Sequence, residues 1–545
     1  MKNQQTHKGT AMPPDTTEPM TRSLHGADRP QRATPRVSAP TWAAYFGIGL
    51  ILSILWHLAL TAGSALLLAD SVEYIGLARH IASGAVRLTD FPATITPAYP
   101  GLVALLASPS YEGADLTPLI NAQTALSVFS DVLIFTIAGL LSRKPGIALT
   151  AQVLSMLMVD RYFMASYVMT ETLYIFVLLM VVAMFLLARR QHSVMLLLVT
   201  SALAASLAWI KPMAAVFWPL PLALWTISEL SRWKRSSYRD EPATHDRSVF
   251  PRLAVAWLGT WIIVQSLLAP LSGSDDTRSN WYQKASGLWV QTLHVRDPVF
   301  VEEFRRSPYF AELYPAYKAW LARRQLPDEA TPNAFFQRPD AWETLEQRED
   351  GWCWFKIPLW VLTSERGYQP AEAEAWQGRA ALHVISKHPW YFIKKVFLSE
   401  IPVILLKPFS ISSDLDAALR QRQNRTGYDA VFAAAGVRIK DAYSGLRGAL
   451  AKSPLGNVWV AVLGIGLLSG ARVFRNTGFW FVAATYAFHI LIPAIAGGSL
   501  PRYRFPASTM DGIVLIAAFS MLYMPLRAKI TKMRNARNRA STPGV

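Results

Sequence analysis

Asp70–Leu106 reads DSVEYIGLARHIASGAVRLTDFPATITPAYPGLVALL. The run before it, 42–68, is apolar over a length that would cross a bilayer, so this stretch is the first to emerge on the far side of a membrane. It opens on an acid, Asp70, where the apolar run stops. Asp70, Glu73, Tyr74 and Leu77 recur at helical spacing, which predicts a short helix with an acid-and-tyrosine face at the lipid boundary. Gly84 ends that helix. Pro97, Tyr99 and Pro100 form a Pro-x-Tyr-Pro turn that starts a second apolar helix, too short to cross.

Working outward, 52% of the 545 residues are apolar and the mean hydropathy is +0.21. Repeated apolar runs of about 20 residues predict an all-α polytopic membrane protein, because only helices or closed barrels satisfy backbone groups in lipid. The alternation of a barrel strand is absent. The expected spans are 42–68, 117–141, 145–161, 170–188, 193–210, 212–228, 253–271, 456–473, 478–497 and 503–524. The formal net charge of +17 does not call for a nucleic acid partner, because Lys and Arg gather at span ends and in the tails. Arg143 and Lys144, Arg189 and Arg190, the Arg232–Arg252 loop, Arg472 and Arg475, and Arg527–Arg539 all fall on one side, the expected cytoplasmic one. The single cysteine, Cys353, excludes an internal disulfide framework and a Cys-based zinc site. The polar N-terminus shows no early apolar core of a cleavable signal.

This divides the chain into a disordered cytoplasmic tail (1–41), an N-terminal membrane module (42–271) with its first external loop at 69–116, a mostly helical extracytoplasmic domain (272–455), C-terminal spans (456–524) and a basic cytoplasmic tail (525–545). Segment 380–409 is apolar enough for an eleventh span. It would carry Lys394, Lys395, Glu400 and Lys407 in or beside the lipid, at about 2.5–3.5 kcal/mol for each charge near the centre. Crossing would also move Arg472, Arg475 and the basic tail outside. An interfacial or partly inserted helix is expected instead, started by Pro389 and kinked at Pro402.

The candidate chemistry lies on the external side. Asp70 either caps its helix, in an Asp-x-x-Glu box with Glu73, or serves as a general base toward an acceptor hydroxyl; the two roles are compatible. Glu171, in Thr-Glu-Thr at the start of a span, either satisfies the helix dipole or orients a ligand, with Thr170 as its cap. Asp160 and Arg161, just before it, are expected to pair with each other. Lys211, before Pro212, is either a snorkelling lysine or a cation at the site. Gly497–Pro506 reads GGSLPRYRFP, and Arg502 and Arg504 flanking Tyr503 suit a phosphate at headgroup depth, or ordinary lipid headgroups. Asp131, His489 and Asp511 fall inside spans; His489 and Asp511 are expected to line the site and Asp131 to hold helices together. There is no Walker loop, dinucleotide glycine fingerprint, His-x-x-x-His pair or nucleophile elbow.

The order of these features resembles a known family. An acid after the first span with a following Tyr and Ala (Asp70, Tyr74, Ala78), then Pro97–Pro100, then Thr170-Glu171, then Arg502–Pro506 is similar to bacterial polytopic GT-C glycosyltransferases of the dolichyl-phosphate-mannose-protein mannosyltransferase and aminoarabinose-transferase type, glycosyltransferase family 39-like. The resemblance covers 42–230 and 456–524, not 272–455. It implies a GT-C bundle of about 10–11 transmembrane helices in a bacterial cytoplasmic (inner) membrane. It further implies transfer of a sugar from a polyprenyl-phosphate donor to a glycolipid, polysaccharide or protein acceptor on the extracytoplasmic face, with inversion and with Asp70 as base. Glu73, Tyr74, Tyr99, Glu171, Lys211, His489, Arg502, Tyr503 and Arg504 are the expected substrate-binding residues. Thr96 stands where many relatives have Arg, so Lys211 is a candidate replacement contact to the donor phosphate. The loop has one clear Asp rather than an acidic pair; no metal ligand is assigned and a divalent cation stays open. A lipid-linked sugar flippase, or an O-antigen polymerase or ligase, are the alternatives.

Overall fold

The computed structural model of the protein describes residues 38–67, 69–85, 96–107, 115–237, 249–268, 285–289, 292–293, 297–323, 353–406, 413–425, 427–452, 462–468, 478–496, 509–520 and 533. Among them the regular structure is helical, with a single isolated bridge between Leu66 and Tyr167. The first half comprises α1 (Ala39–Leu60), α2 (Ala69–Ala82), α3 (Ala98–Leu106), α4 (Thr117–Ser142), α5 (Pro145–Met156), α6 (Asp160–Phe163), α7 (Glu171–Gln191), α8 (Val194–Ser206), α9 (Pro219–Ser237) and α10 (Val249–Leu268). The second half comprises α11 (Pro298–Arg305), α12 (Pro308–Arg323), α13 (Cys353–Arg366), α14 (Pro370–Lys387), α15 (Pro389–Lys395), α16 (Ile401–Leu406), α17 (Ser413–Gln423), α18 (Tyr428–Lys452), α19 (Gly478–Ala496) and α20 (Asp511–Ser520).

Five described helices, Ala39–Leu60, Thr117–Ser142, Glu171–Gln191, Val249–Leu268 and Gly478–Ile495, are long and apolar enough to cross a membrane. Pro145–Met156, Val194–Trp209 and Asp511–Ser520 are apolar but shorter. The protein is therefore an all-α chain of membrane type. Trp42 meets Phe135 edge-on at 6.0 Å, which sets the start of α1 beside the end of α4 and makes the two antiparallel. Phe481 of α19 lies 4.0 Å from Phe185 of α7, seating the C-terminal helix on the N-terminal bundle. Gly512 of α20 rides on α5 so closely that a Cβ would stand 2.0 Å from the Ala151 carbonyl oxygen. Ile51, Leu55 and Leu58 on α1, and Leu258, Trp261 and Ile262 on α10, are exposed and form apolar surface suited to lipid.

Two expected spans end early. The run 42–68 is helical only to Leu60, and 61–67 continues as irregular backbone. The run 145–161 is helical only to Met156, so α5 rises ~18 Å while α7, which also packs on α4, covers ~31 Å. The remaining height is climbed by 157–170, buried from Arg161 to Thr170, which contains α6, a tight turn at Met164–Ser166 and irregular backbone on either side. Irregular backbone at such depth persists only where protein groups satisfy it. Here they do: the Leu66 N–H donates to Ser166 O (2.8 Å), the Val168 N–H to Leu66 O (3.1 Å), and the Ala62 N–H to Ser166 Oγ (2.8 Å).

The break is anchored from below by Asp131, fully buried on α4. It accepts from Ser53 Oγ of α1 (2.5 Å) and the Tyr162 hydroxyl (2.9 Å) and pairs with the Arg161 guanidinium. Asp131 thus ties three elements together, as its sequence position implied. The Arg161 guanidinium turns inward to the carboxylate on α4; the Asp160 side chain, its expected partner, lies outside the described residues.

Segment 380–409 is not one helix. α14 ends at Lys387, and Pro389 stands at the first position of α15, as expected. The helix then widens into a π turn, Val396–Glu400, closed by the Ile401 N–H on Val396 O, before α16. The distortion precedes Pro402, which has no N–H to offer the carbonyl of Leu398. Phe392, Val396, Glu400 and Ile404 are buried at four-residue intervals, while Trp390, Ile393, Phe397 and Leu398 are exposed. α16 packs on α19.

Candidate functional site

α2 begins at Ala69, so Asp70 stands in its first turn, where the helix dipole favours a negative charge. Asp70, Glu73, Tyr74 and Leu77 occupy the more open face, and Ser71, Ile75 and Ala78 the buried one. The C-terminus closes as the sequence expects. Gly84 has φ +71, its N–H meets Ile81 O at 3.0 Å, and the Ala85 N–H meets His80 O at 2.9 Å, a left-handed stop that glycine adopts freely.

Three contacts bring this helix to the others. Ser71 Oγ donates to Val168 O at 2.9 Å, which fastens the residue beside Asp70 to the backbone three residues before Glu171. Tyr74 packs edge-on against Tyr99 of α3, centroids 5.1 Å apart. Tyr99, fully buried, donates its hydroxyl to Gln123 Oε1 of α4 at 2.7 Å, and Gln123 Nε2 donates to Ala165 O (3.0 Å) and Tyr167 O (2.9 Å). One amide thus holds the Pro-x-Tyr-Pro helix and the broken segment together. Burial, the Glu171 carboxylate and Tyr74 push the Tyr99 phenol well above its ordinary value, so it stays protonated and donating.

Glu171 opens α7 and is buried. Thr170 occupies the cap position but makes no capping bond there; its hydroxyl turns to Glu171 Oε2 at 3.3 Å. The other carboxylate oxygen, Oε1, receives Lys211 Nζ at 2.9 Å. Lys211 reaches it because the backbone is extended there, at φ −141, before the tight turn Pro212–Val216. The ammonium also stands 5.8 Å above the Tyr174 ring. Tyr174 bonds His489 Nε2 of α19 at 2.8 Å, and His489 Nδ1 lies 2.7 Å from Thr485 O. A neutral His489 then carries its proton on Nδ1 and accepts the Tyr174 hydroxyl at Nε2.

The structure therefore brings Asp70, Glu73, Tyr74, Tyr99, Glu171 and Lys211 to one end of the bundle, the end where α1 stops. His489 joins them as the buried partner of Tyr174, with no exposed surface of its own. Asp511, buried, accepts the Tyr486 hydroxyl at 2.7 Å between α19 and α20. Arg502, Tyr503 and Arg504 lie outside the described residues. Gln123, Ser71 and Ser166 were missed in the sequence, where attention went to ionisable groups; an amide inside the apolar run of α4 was the available signal. Among the described residues no group of three or more His, Cys, Asp or Glu side chains is arranged to hold a metal ion.

Chemically, this end offers a half-buried carboxylate on the open face of α2 and a lysine committed to a buried acid at the start of α7. No protein-family model, no curated protein and no solved structure matches the chain.

Proposed function

We propose that the protein is a membrane glycosyltransferase that moves a sugar from a polyprenyl-phosphate carrier to an acceptor hydroxyl at the outer face of a bacterial cytoplasmic membrane, with a GT-C type arrangement of its spans. The observation that supports this reading best is the convergence of the Asp70 helix, Tyr99 and the Glu171–Lys211 pair at one end of an apolar bundle.

In this reading Asp70 takes the proton of the acceptor hydroxyl. The hydroxyl oxygen attacks the anomeric carbon from the side opposite the phosphate. The bond from that carbon to the phosphate oxygen breaks, its electron pair leaves with polyprenyl phosphate, and the anomeric configuration inverts. Lys211, with Arg502 and Arg504, offsets the charge that develops on the leaving phosphate, where fixed donors are most effective. Glu171 holds Lys211 in place, and the surface of α15 guides the lipid. Comparing the envelope glycans of cells with and without the protein by mass spectrometry tests the reading: a missing glycoform supports it, and identical profiles oppose it.

A lipid-linked sugar flippase is the second reading, favoured by one observation. The broken α5–α7 segment, whose Arg161 pairs with the buried Asp131 of α4, has the discontinuous character of transporter helices. Flipping of a fluorescent lipid-linked sugar without transfer would select the flippase.

A further inference from the structure

Arg422, at the end of α17, is buried although it belongs to the helical region beyond α10. Its guanidinium reaches the last carbonyls of α1: Nη1 donates to Thr61 O, and Nη2 to Leu58 O at 3.1 Å. Asp429, in the first turn of α18, neutralises it, accepting Nε at 2.9 Å and Nη2 at 2.5 Å. A cation is favoured at a helix C-terminus, where carbonyls lack partners. Two glycines admit the contact. Gly63 has φ +71, and a Cβ there would stand 3.1 Å from Arg422 Cδ. A Cβ on Gly436 of α18 would stand 2.0 Å from the Ala59 carbonyl oxygen.

The segment so gripped, 61–67, leads into the Asp70 helix. Its other side carries the bonds of Ala62 and Leu66 to Ser166 and of Val168 to Leu66. It is therefore held between the α17–α18 hairpin and the backbone that leads to Glu171.

We infer that Arg422 is a positioning residue: through the end of α1 it sets the placement of the first loop, and hence of Asp70 relative to Glu171 and Lys211. Its catalytic meaning rests on the transferase reading above; the clamp itself does not. The Arg422 guanidinium holds the Asp429 carboxyl below the ordinary carboxylate range, so the clamp stays charged throughout the neutral and mildly acidic range.

The test compares the wild-type full-length protein with Arg422→Gln, Arg422→Lys and Asp429→Asn, each in nanodiscs of phosphatidylethanolamine and phosphatidylglycerol. Hydrogen exchange is followed by mass spectrometry, together with transfer from a radiolabelled polyprenyl-phosphate hexose. Losing charged hydrogen bonds should speed exchange across Thr61–Ile75 by about tenfold or more in Arg422→Gln, with α8 unchanged. Lysine, lacking the planar fork, should restore only part of the protection. Asp429→Asn keeps the guanidinium and should loosen the same segment less, which serves if Arg422→Gln does not fold. In the transfer assay kcat should fall while KM for the donor holds, because Lys211 is untouched. Unchanged exchange at Thr61–Ile75 overturns the clamp whatever the activity. Faster exchange with wild-type kcat overturns its positioning role. A wild-type protein that transfers no sugar sinks the transferase reading alone, and the exchange result then decides the clamp by itself.

Discussion

Lys211 Nζ lies 2.9 Å from Glu171 Oε1, and the two side chains are 12% and 2% exposed. The pair joins the start of α7 to the extended residue before Pro212, so it fixes both the geometry and the charge of the candidate site. Removing one member leaves the other buried and uncompensated, which costs about 3–5 kcal/mol. Lys211→Met should lower thermal stability in detergent by that order, and the double variant Glu171→Gln/Lys211→Met should recover much of it. A double-variant loss equal to the sum of the two single losses would show that the two side chains are not coupled.

The same logic applies lower in the bundle to Asp131 and Arg161. Asp131→Leu alone strands a buried guanidinium and should prevent folding or cost about 3–5 kcal/mol, whereas Asp131→Leu/Arg161→Met removes both charges and should be far milder. Circular dichroism melts of the purified variants measure this directly.

Gln123 joins three groups with no exposed surface of its own. Gln123→Leu keeps the volume but orphans the Tyr99 hydroxyl and the Ala165 and Tyr167 carbonyls, each at about 1–3 kcal/mol. The expected result is a destabilised protein whose protease sensitivity rises first within 157–170. A stability equal to wild type would show that the amide is not the joint described.

Tyr99 gives the pH dependence. Burial and the Glu171 charge raise its pKa in the folded state, so the folded protein holds this proton more tightly than the unfolded chain. Its contribution to stability is complete below the ordinary tyrosine value of about 10 and is lost as pH rises above it. Unfolding midpoints of wild type and Tyr99→Phe should run parallel in neutral buffer, and only the wild type should carry this extra alkaline decline.

Much of this arrangement was legible in the sequence because its signals are local. The period of α2, the glycine that stops it, the Pro-x-Tyr-Pro start of α3 and the acid opening α7 are each written within a few residues. What was not legible depends on distant partners. Apolarity continues past Leu60 and Met156, so the runs look like longer spans; the helices stop there because Ser166, Leu66 and Gln123 supply the hydrogen bonds that irregular backbone needs. The Arg161–Asp131 pair and the grip of Arg422 on Thr61 join residues 30 and 361 positions apart, which no periodicity announces.

The central claim is that Asp70 acts as the base for transfer, and one assay reaches it most directly. Wild type and Asp70→Asn in nanodiscs are compared for transfer from radiolabelled polyprenyl-phosphate sugar to acceptors extracted from the envelope. The account predicts product from wild type and a rate about 10²-fold or more lower from the variant, the contribution of a positioned general base. Equal rates in the two proteins would contradict it.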